Sequence, residues 1–298
     1  MRFLIAIILL MSPEISFAYE PTQTHAGLTE QVVEFYNLNF DKKISNEQKE
    51  LMIQGAVAED SPELRALNHF YDPTRNIGIN TSRTAKSWAM EDTEWNNYTW
   101  GEIIQYYAEW NNQEAFVGLG HILHLIEDMG VPDHTRNDQH VPFLSEKLGG
   151  HSPYEDWAMK NKNRTTLRGL GKQYADAGYF IKVLDSLGEY FDFLARYSNG
   201  NFFSKDTIKS ITYSQPVVTK NDGKYFYGVD GLNNLEVVLF GSFDKKDWTQ
   251  FFALSDDNDP FVLSSYFDRL FRQIIPSGAC VINLFFEEGE KARVVYQS

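Results

Sequence analysis

The residues His124 and Asp128 are the first feature of this sequence that points to chemistry. They lie four positions apart in an apolar stretch with helical periodicity, so a helix would place both side chains on one face. An imidazole nitrogen and a carboxylate oxygen are both good zinc ligands, at about 2.0 to 2.2 Å. Pro132 then turns the chain and brings His134 back toward the same region. Together these residues predict a metal site.

A second pair of the same kind follows, in which His151 and Glu155 are again four positions apart. Histidine is scarce, with seven in the chain, yet five lie between residues 121 and 151, and this concentration favours metal binding by the group. For His140 an ordinary hydrogen-bonded position is the simpler interpretation. His121 shares the helical face of His124. It is either an outer partner that orients a metal ligand or a buried histidine beside the site.

The stretch 124–137 resembles the signature of the bacterial zinc-dependent phospholipase C family. It has the histidines, the aspartate, the proline and the asparagine of that pattern at the same spacing: His124, Asp128, Pro132, His134 and Asn137. The similarity extends to residues 55–60, 69–73 and 150–155, and to His25, which matches an early histidine of the family. It covers most of residues 25–157, and the C-terminal helix resembles the family's final helix.

The resemblance implies an all-α, multi-helix bundle of the zinc-dependent phospholipase C type, with three zinc ions in a cleft. It implies one ion bound by Asp60, His69, His124 and Asp128. Asp128 would bridge to a second ion, held also by His25 and by the N-terminal residue of the mature chain. The third ion would be held by His134, His151 and Glu155. That mature N-terminal residue is expected to be Tyr19. Asp60 would also be the catalytic base that orients the attacking water.

The activity implied is that of a phospholipase C, which hydrolyses phospholipids at a membrane or micelle surface to diacylglycerol and a phosphorylated headgroup. Around the implied site the sequence departs from the family. Ser61 and Ala66 stand where choline-binding members have aromatic residues, so no headgroup preference is predicted. Leu125, Glu127 and Arg136 replace a tyrosine, a small residue, and a small residue or proline. Two roles are open for Arg136: contact with substrate phosphate or, more simply, a surface ion pair.

The first eighteen residues have the pattern of a cleaved signal peptide. Arg2 precedes an apolar run over residues 3–11, and residues 16–18 form a small-x-small cleavage site. The apolar run is shorter than the roughly 20 residues of a spanning helix. We therefore expect a secreted or periplasmic protein without a transmembrane anchor, with residues 19–298 forming one hydrolase domain. Cys280 is the one cysteine, so a core position is expected for it rather than a disulfide. A monomer is the default expectation.

The net charge of the chain indicates which kinds of partner it could bind. The chain has 27 Lys and Arg against 41 Asp and Glu, a formal net charge of −14. Proteins that bind nucleic acid usually present a basic surface, so no nucleic-acid partner is expected.

Helical periodicity dominates the sequence. It predicts helices from Leu28, from Thr99, and over residues 46–58, 85–90, 114–129, 153–159, 173–197, 248–254 and about 260–288. Residues 211–229 differ, because runs rich in Thr, Tyr and Val flank Asn221-Asp222-Gly223, a hairpin turn signal. A small β-hairpin insertion is predicted there. Its aromatic residues 225–227 are expected to cover the body of the domain rather than contact a membrane.

Two other functions remain open. Fungal single-strand zinc nucleases share the implied fold and a similar site, and a nuclease acting on single-stranded nucleic acid is the alternative. Those enzymes typically carry His-Gln-Pro-Leu-His after the bridging aspartate, where this chain has residues 130–134, Gly-Val-Pro-Asp-His. The other possibility is a non-catalytic exported protein that zinc stabilises. The size of the ligand set argues against it, since structural sites usually have four closed ligands.

Overall fold

Helices and turns account for most of this chain, in agreement with its periodicity. The computed structural model describes residues 21–80, 82–138, 152–179, 182–208, 210–243, 251–254 and 261–297. Within these ranges it has eleven α-helices and one four-stranded antiparallel sheet. The predicted helical architecture with a small β insertion is therefore confirmed.

The α-helices have the following bounds, in chain order: α1 Ala26–Asn39, α2 Asn46–Ala58, α3 Ala85–Met90, α4 Trp100–Ala108, α5 Asn112–Asp128, α6 Pro132–Thr135, α7 Pro153–Asn161, α8 Arg164–Leu167, α9 Leu170–Asp176, α10 Leu187–Asn201 and α11 Phe261–Tyr296. A π-helical turn, Pro21–His25, leads into α1, and 3₁₀ turns span Glu63–Asn68 and Lys205–Thr207.

Side-chain caps explain where several helices begin. Ser45 and Gln48 form a reciprocal capping box at the start of α2, and Thr99 and Glu102 do the same for α4. One expectation was wrong: the single helix predicted over residues 173–197 is two helices, α9 and α10. The chain leaves α9 at Asp176 and then adopts a positive φ of 67° at Gly178, a conformation that glycine adopts without strain and that ends a helix.

The β insertion is larger than the predicted hairpin. Strands β1 Val218–Asn221, β2 Tyr225–Val229, β3 Glu236–Phe243 and β4 Phe251–Ala253 are joined in that order. Strand β4 replaces part of the helix predicted over residues 248–254. This segment forms a strand because β3 pairs with it, a contact that the periodicity of the sequence did not reveal. Strand β3 is rich in β-branched and aromatic residues and pairs with both β2 and β4.

The aromatic residues of β2 cover the domain, as expected. Tyr227 is buried in the core, and the ring of Phe226 stacks on that of Phe240 at 4.5 Å between centroids. The hydroxyl of Tyr266 in α11 donates to the carbonyl of Leu239, at 2.6 Å. This bond ties the sheet to the helical body.

The long helix α11 forms the spine of the core and packs against α1, α4 and α5. Cys280 lies on its buried side, which confirms the predicted core position. No helix in the described ranges combines the length and the apolar character needed to cross a membrane.

The crossing of α2 and α5 is the closest helix contact near the polar residues singled out above. A Cβ atom on Gly55 would lie 1.8 Å from the carbonyl oxygen of Val117, and one on Gly120 would lie 2.0 Å from that of Met52. Only glycine allows two backbones to approach this closely. The crossing brings the end of α2 against the second half of α5, where His124 and Asp128 lie.

Candidate metal centre

Seven of the nine predicted ligands lie within the described residues, and the structure brings all seven together in one buried cluster. Their positions are the end of the π-helical turn (His25), the chain after α2 and after the following 3₁₀ turn (Asp60, His69), helix α5 (His124, Asp128), helix α6 (His134) and the first turn of α7 (Glu155). The other two, Tyr19 and His151, and the unassigned His140, lie outside the described residues.

Asp128 lies at the centre of the cluster. Its Oδ1 is 3.5 Å from Nε2 of His25, whereas its Oδ2 is 3.0 Å from Nδ1 of His69 and 3.4 Å from Nε2 of His124. The same Oδ2 is 3.9 Å from Nδ1 of His134. The two oxygens of one carboxylate therefore face different histidines, which is the arrangement that a bridging carboxylate needs.

Asp60 and Glu155 extend the cluster on either side. Oδ1 of Asp60 is 3.5 Å from Nδ1 of His69 and 3.6 Å from Nε2 of His124. Oε1 of Glu155 is 3.3 Å from Nε2 of His134. The ligand atoms of His25, His124 and Asp128 lie within 4.8 Å of one another, and so do those of Asp60, His69 and His124. These buried groups could hold metal ions.

Hydrogen-bonding supports that interpretation. Five buried ligand atoms of the cluster have no hydrogen-bond partner of acceptable geometry in the described part of the chain: both carboxylate oxygens of Asp60 and of Asp128, and Nε2 of His124. Leaving a buried polar atom unpaired costs about 1 to 3 kcal/mol. Several such atoms pointing at one another require an explanation, and a bound cation satisfies acceptor oxygens and imidazole nitrogens together.

Hydrogen bonds to backbone carbonyls orient the rings of two histidines, His124 and His134. Nδ1 of His124 is 2.6 Å from the carbonyl oxygen of Ala56, and Nδ1 of His134 is 2.9 Å from that of His69. A carbonyl oxygen accepts only, so each Nδ1 donates a proton and each Nε2 is left with its lone pair. This is the usual way in which proteins fix the tautomer of a metal-binding histidine.

The sequence did not reveal two carboxylates that support this orientation, Glu59 and Glu127. Both are buried and each directly precedes a predicted ligand. Glu127 bonds to His25, at 2.7 Å, and accepts from the Thr29 hydroxyl, at 3.0 Å. The position of Glu127 inside the apolar stretch of α5 could have marked it as a buried functional residue. The prediction passed over it because only Asp128 lies four residues after His124.

Glu59 joins four side chains at one edge of the cluster. Its Oε1 accepts from the indole nitrogen of Trp88, at 2.8 Å, and lies 3.5 Å from Nε2 of His69. Its Oε2 is 2.5 Å from both Nη2 of Arg65 and Nδ1 of His121. His121 is thus buried and linked to His69 through Glu59, which is compatible with both of its predicted roles.

Burial and proximity set the charges of the cluster. Burial raises the pKa of Asp60 to about 6 and that of Glu155 to about 8. The pKa of Asp128 stays well below its usual range, because the nearby His124 and His134 outweigh the effect of burial. Burial, and then the ring of His124 stacked at 3.7 Å, lower the pKa of His25 well below 6.5. Of the three carboxylates Asp60, Asp128 and Glu155, Asp128 is therefore the one most strongly held in its ionised form.

Arg136 is not at the surface, so the surface ion pair expected for it is wrong, and its bonds among the described residues go to carbonyls and a hydroxyl rather than to the cluster. It is fully buried. Nε and Nη2 donate to the carbonyl of Asn199, at 3.0 and 2.5 Å, and the other bonds go to the Thr207 hydroxyl and the Ser214 carbonyl. Burial lowers its pKa to about 10. The guanidinium supplies donors for carbonyls around the end of α10, which a pattern of charges along the sequence cannot indicate.

Comparison with known proteins adds a distant structural likeness. A scan against models of protein families finds no match, and a search of curated proteins finds no relative. Among solved structures, the chain is similar to the alpha toxin of Clostridium absonum, with 12% sequence identity and a TM-score of 0.46. The match covers 93% of this chain and 65% of the toxin, so this chain spans about two thirds of that protein's length.

Proposed function

We propose that this protein is a secreted or periplasmic zinc-dependent phosphoric ester hydrolase and that its activity is that of a phospholipase C. The observation that carries the proposal is the buried cluster in which seven imidazole and carboxylate side chains, from six separate segments, come together. Within it, both oxygens of Asp60 and of Asp128 and Nε2 of His124 lack hydrogen-bond partners among the described residues. A fold stabilised by apolar packing gains nothing from such a cluster without a cation, because each unpaired atom lowers the stability.

Zinc is the metal that fits the donors best. The set mixes imidazole nitrogen with carboxylate oxygen, the ligands that zinc takes in catalytic sites, whereas magnesium and calcium prefer oxygen alone. Three ions would use three groups of ligands: Asp60, His69, His124 and Asp128; Asp128, His25 and Tyr19; and His134, His151 and Glu155. Tyr19 would take part only after cleavage of residues 1–18.

Such a site suits the hydrolysis of a phosphoric ester. Bound zinc supplies positive charge for the phosphate and lowers the pKa of water to about 7. Asp60 would accept the proton of the attacking water, and the lack of hydrogen-bond partners for both its oxygens among the described residues supports this role. Asp60 would thus combine two roles, ligand and base.

A phospholipid is the substrate that the charge of the protein favours over nucleic acid. With a formal net charge of −14, the protein would repel a polyanion, and binding of single-stranded nucleic acid depends on a positively charged groove. A lipid headgroup presents one phosphate at a membrane or micelle surface. Residues 19–298 would act as one domain and, by default, as a monomer.

One set of assays tests the proposal. The mature protein, loaded with zinc, is incubated with mixed phospholipid micelles, with single-stranded nucleic acid and with a generic phosphodiester, each with and without a chelator. Chelator-sensitive release of phosphorylated headgroup, restored by zinc, is the expected result. Release of nucleotides instead would favour the nuclease. Zinc binding without any hydrolysis would overturn the enzymatic proposal and leave a protein that zinc stabilises.

A further inference from the structure

We infer that Glu127 is a positioning residue which, together with Thr29, holds the ring of His25 so that Nε2 faces Asp128 and a bound metal ion. The inference rests on the proposed metal centre, and it concerns a residue for which the sequence offered no role. At this position the family that the chain resembles has a small residue, so the resemblance assigns no role to Glu127.

Thr29, Glu127, His25 and Asp128 form a chain of contacts in the buried interior. The Thr29 hydroxyl donates to Oε1 of Glu127, at 3.0 Å, and Oε2 of Glu127 lies 2.7 Å from Nδ1 of His25. On the far side of the imidazole, Nε2 of His25 lies 3.5 Å from Oδ1 of Asp128. His25, Thr29 and Glu127 are all completely buried, so no water competes for these bonds. The two oxygens of Glu127 are engaged by the Thr29 hydroxyl and by Nδ1 of His25, the ring nitrogen on the side away from Asp128, which distinguishes Glu127 from the ligands.

The local structure explains how one helix supplies both groups. Successive residues of a helix point about 100° apart, so Asp128 can enter the cluster while Glu127 points toward the start of α1. His25 directly precedes α1, and Thr29 lies in its first turn. The two side chains that meet Glu127 are therefore four positions apart and share one face of the chain. Glu127 joins that face to the end of α5.

The chemistry requires a carboxylate at this place. When Nε2 of His25 binds a cation, its lone pair is used, so Nδ1 carries the ring proton and donates it to Oε2 of Glu127. Burial raises the pKa of Glu127 well above its usual range, whereas this donor and a nearby cation would favour the carboxylate form. A carboxylate behind the imidazole also raises its basicity, and losing such a partner typically costs about 10 to 100-fold in metal affinity. A backbone carbonyl does the same for His124 and His134, and Glu127 takes that place behind His25.

A merely structural role is the competing explanation, in which Glu127 only ties α1 to α5. The two roles differ in what they predict for the metal-free protein. Glu127→Gln keeps the size of the side chain and can still bond to Thr29, so packing is preserved. The amide, however, can present its N–H₂ to Nδ1 of His25, which would shift the ring proton to Nε2. Positioning therefore predicts damage to metal binding, and a structural role predicts damage to folding.

The experiment compares the mature wild-type protein with Glu127→Gln and the milder Thr29→Val. Glu114→Gln is the matched control, since Glu114 lies on the same helix and bonds to the Tyr98 hydroxyl, at 2.7 Å. Zinc stoichiometry and affinity are measured by competition with a chromophoric chelator. The visible absorption of the cobalt(II)-loaded proteins reports the coordination. Thermal unfolding is recorded with and without chelator.

We expect Glu127→Gln to lose about 10 to 100-fold in affinity for one class of ion and to change the cobalt spectrum. Its chelated form should unfold at the wild-type temperature. Thr29→Val should show a smaller loss and the control none. Wild-type affinity and spectrum in Glu127→Gln, or an equal loss of stability with and without metal, would overturn the inference. A wild-type protein that binds no zinc would overturn it together with the proposed function, whereas zinc binding without hydrolysis would remove the function alone.

Discussion

The backbone carbonyl of Ala56 in α2 lies 2.6 Å from Nδ1 of His124 in α5 and accepts its hydrogen bond. The bond spans the glycine-lined crossing of the two helices, where Gly55 and Gly120 let the backbones touch. The direction of a predicted metal ligand thus depends on the distance between two helices. The packing of the two helices and the geometry of the candidate site are therefore connected at this point.

Widening that crossing should weaken both the fold and the site. A Cβ on Gly55 would lie 1.8 Å from the carbonyl oxygen of Val117, and backbone cannot rotate away as a side chain can. We expect Gly55→Ala to lower the free energy of unfolding by about 1 to 3 kcal/mol or more. We also expect weaker zinc binding, since His124 would lose its partner. Urea unfolding and chelator competition measure the two effects.

Gly101 in α4 provides the control, because a Cβ there would meet nothing within 4 Å. Gly101→Ala should raise the free energy of unfolding by about 0.5 to 1 kcal/mol. If Gly55→Ala proved as harmless as Gly101→Ala, helices α2 and α5 would not be in close contact at Gly55. The described crossing of these two helices would then be incorrect.

Asp60 should matter more for turnover than for metal content. Asp60→Asn keeps an oxygen that can face an ion, but the amide cannot accept the proton of an attacking water. We expect most of the turnover to be lost while much of the zinc remains bound. Metal analysis of the purified variant and initial rates on phospholipid micelles check this. The exposed Asp41→Asn is the control. Unchanged turnover in Asp60→Asn would refute the role as base.

Removal of metal should destabilise the protein. Without a cation, the four carboxylate oxygens of Asp60 and Asp128 are buried without a hydrogen-bond partner among the described residues. A ligand at 1,000 times its dissociation constant stabilises the folded state by about 4 kcal/mol, which corresponds to about 8 to 16 °C for a chain of this size. Calorimetry with chelator should show a fall of that order, reversed by zinc and not by magnesium. An unchanged melting temperature would mean that the cluster binds no ion.

The sequence predicted the parts of this site that follow from spacing along one helix or from the quoted resemblance. His124 and Asp128 needed only a helical repeat, and the structure brings them to one place. Glu59 and Glu127 escaped prediction because their partners lie far away in the chain: Glu59 meets His121, and Glu127 meets His25. Such contacts depend on how helices pack, and no periodicity along one element records them.

The same limit explains the errors in the fold. A glycine at residue 178 signals a break, but the helical repeat on both sides of it outweighed that signal in the prediction. Strand β4 is three residues long, too short to show alternation, and it forms because β3 offers an edge with which to pair. The sequence pattern is therefore enough to predict long helices, whereas a short strand such as β4 forms only because a neighbouring strand pairs with it.

Arg136 should be replaceable neither by alanine nor by lysine without loss of stability. Its guanidinium donates to Asn199, Thr207 and Ser214 at once from a fully buried position. The single ammonium of lysine cannot reproduce that planar set of donors, so buried carbonyl oxygens would lose their partners. Bonds from a charged donor contribute about 1.5 to 3 kcal/mol each. We therefore expect Arg136→Lys to lower the free energy of unfolding by about 2 to 4 kcal/mol.

The exposed Arg168→Lys is the matched control for Arg136→Lys and should change stability by no more than about 0.5 kcal/mol. Urea unfolding of both variants in chelator gives the comparison free of bound metal. Zinc stoichiometry should stay at the wild-type value in Arg136→Lys, because the bonds of Arg136 lie outside the cluster. Wild-type stability in that variant would show that the Asn199 and Ser214 carbonyls find other donors. Loss of zinc with stability intact would instead place Arg136 in the metal centre, contrary to its observed contacts.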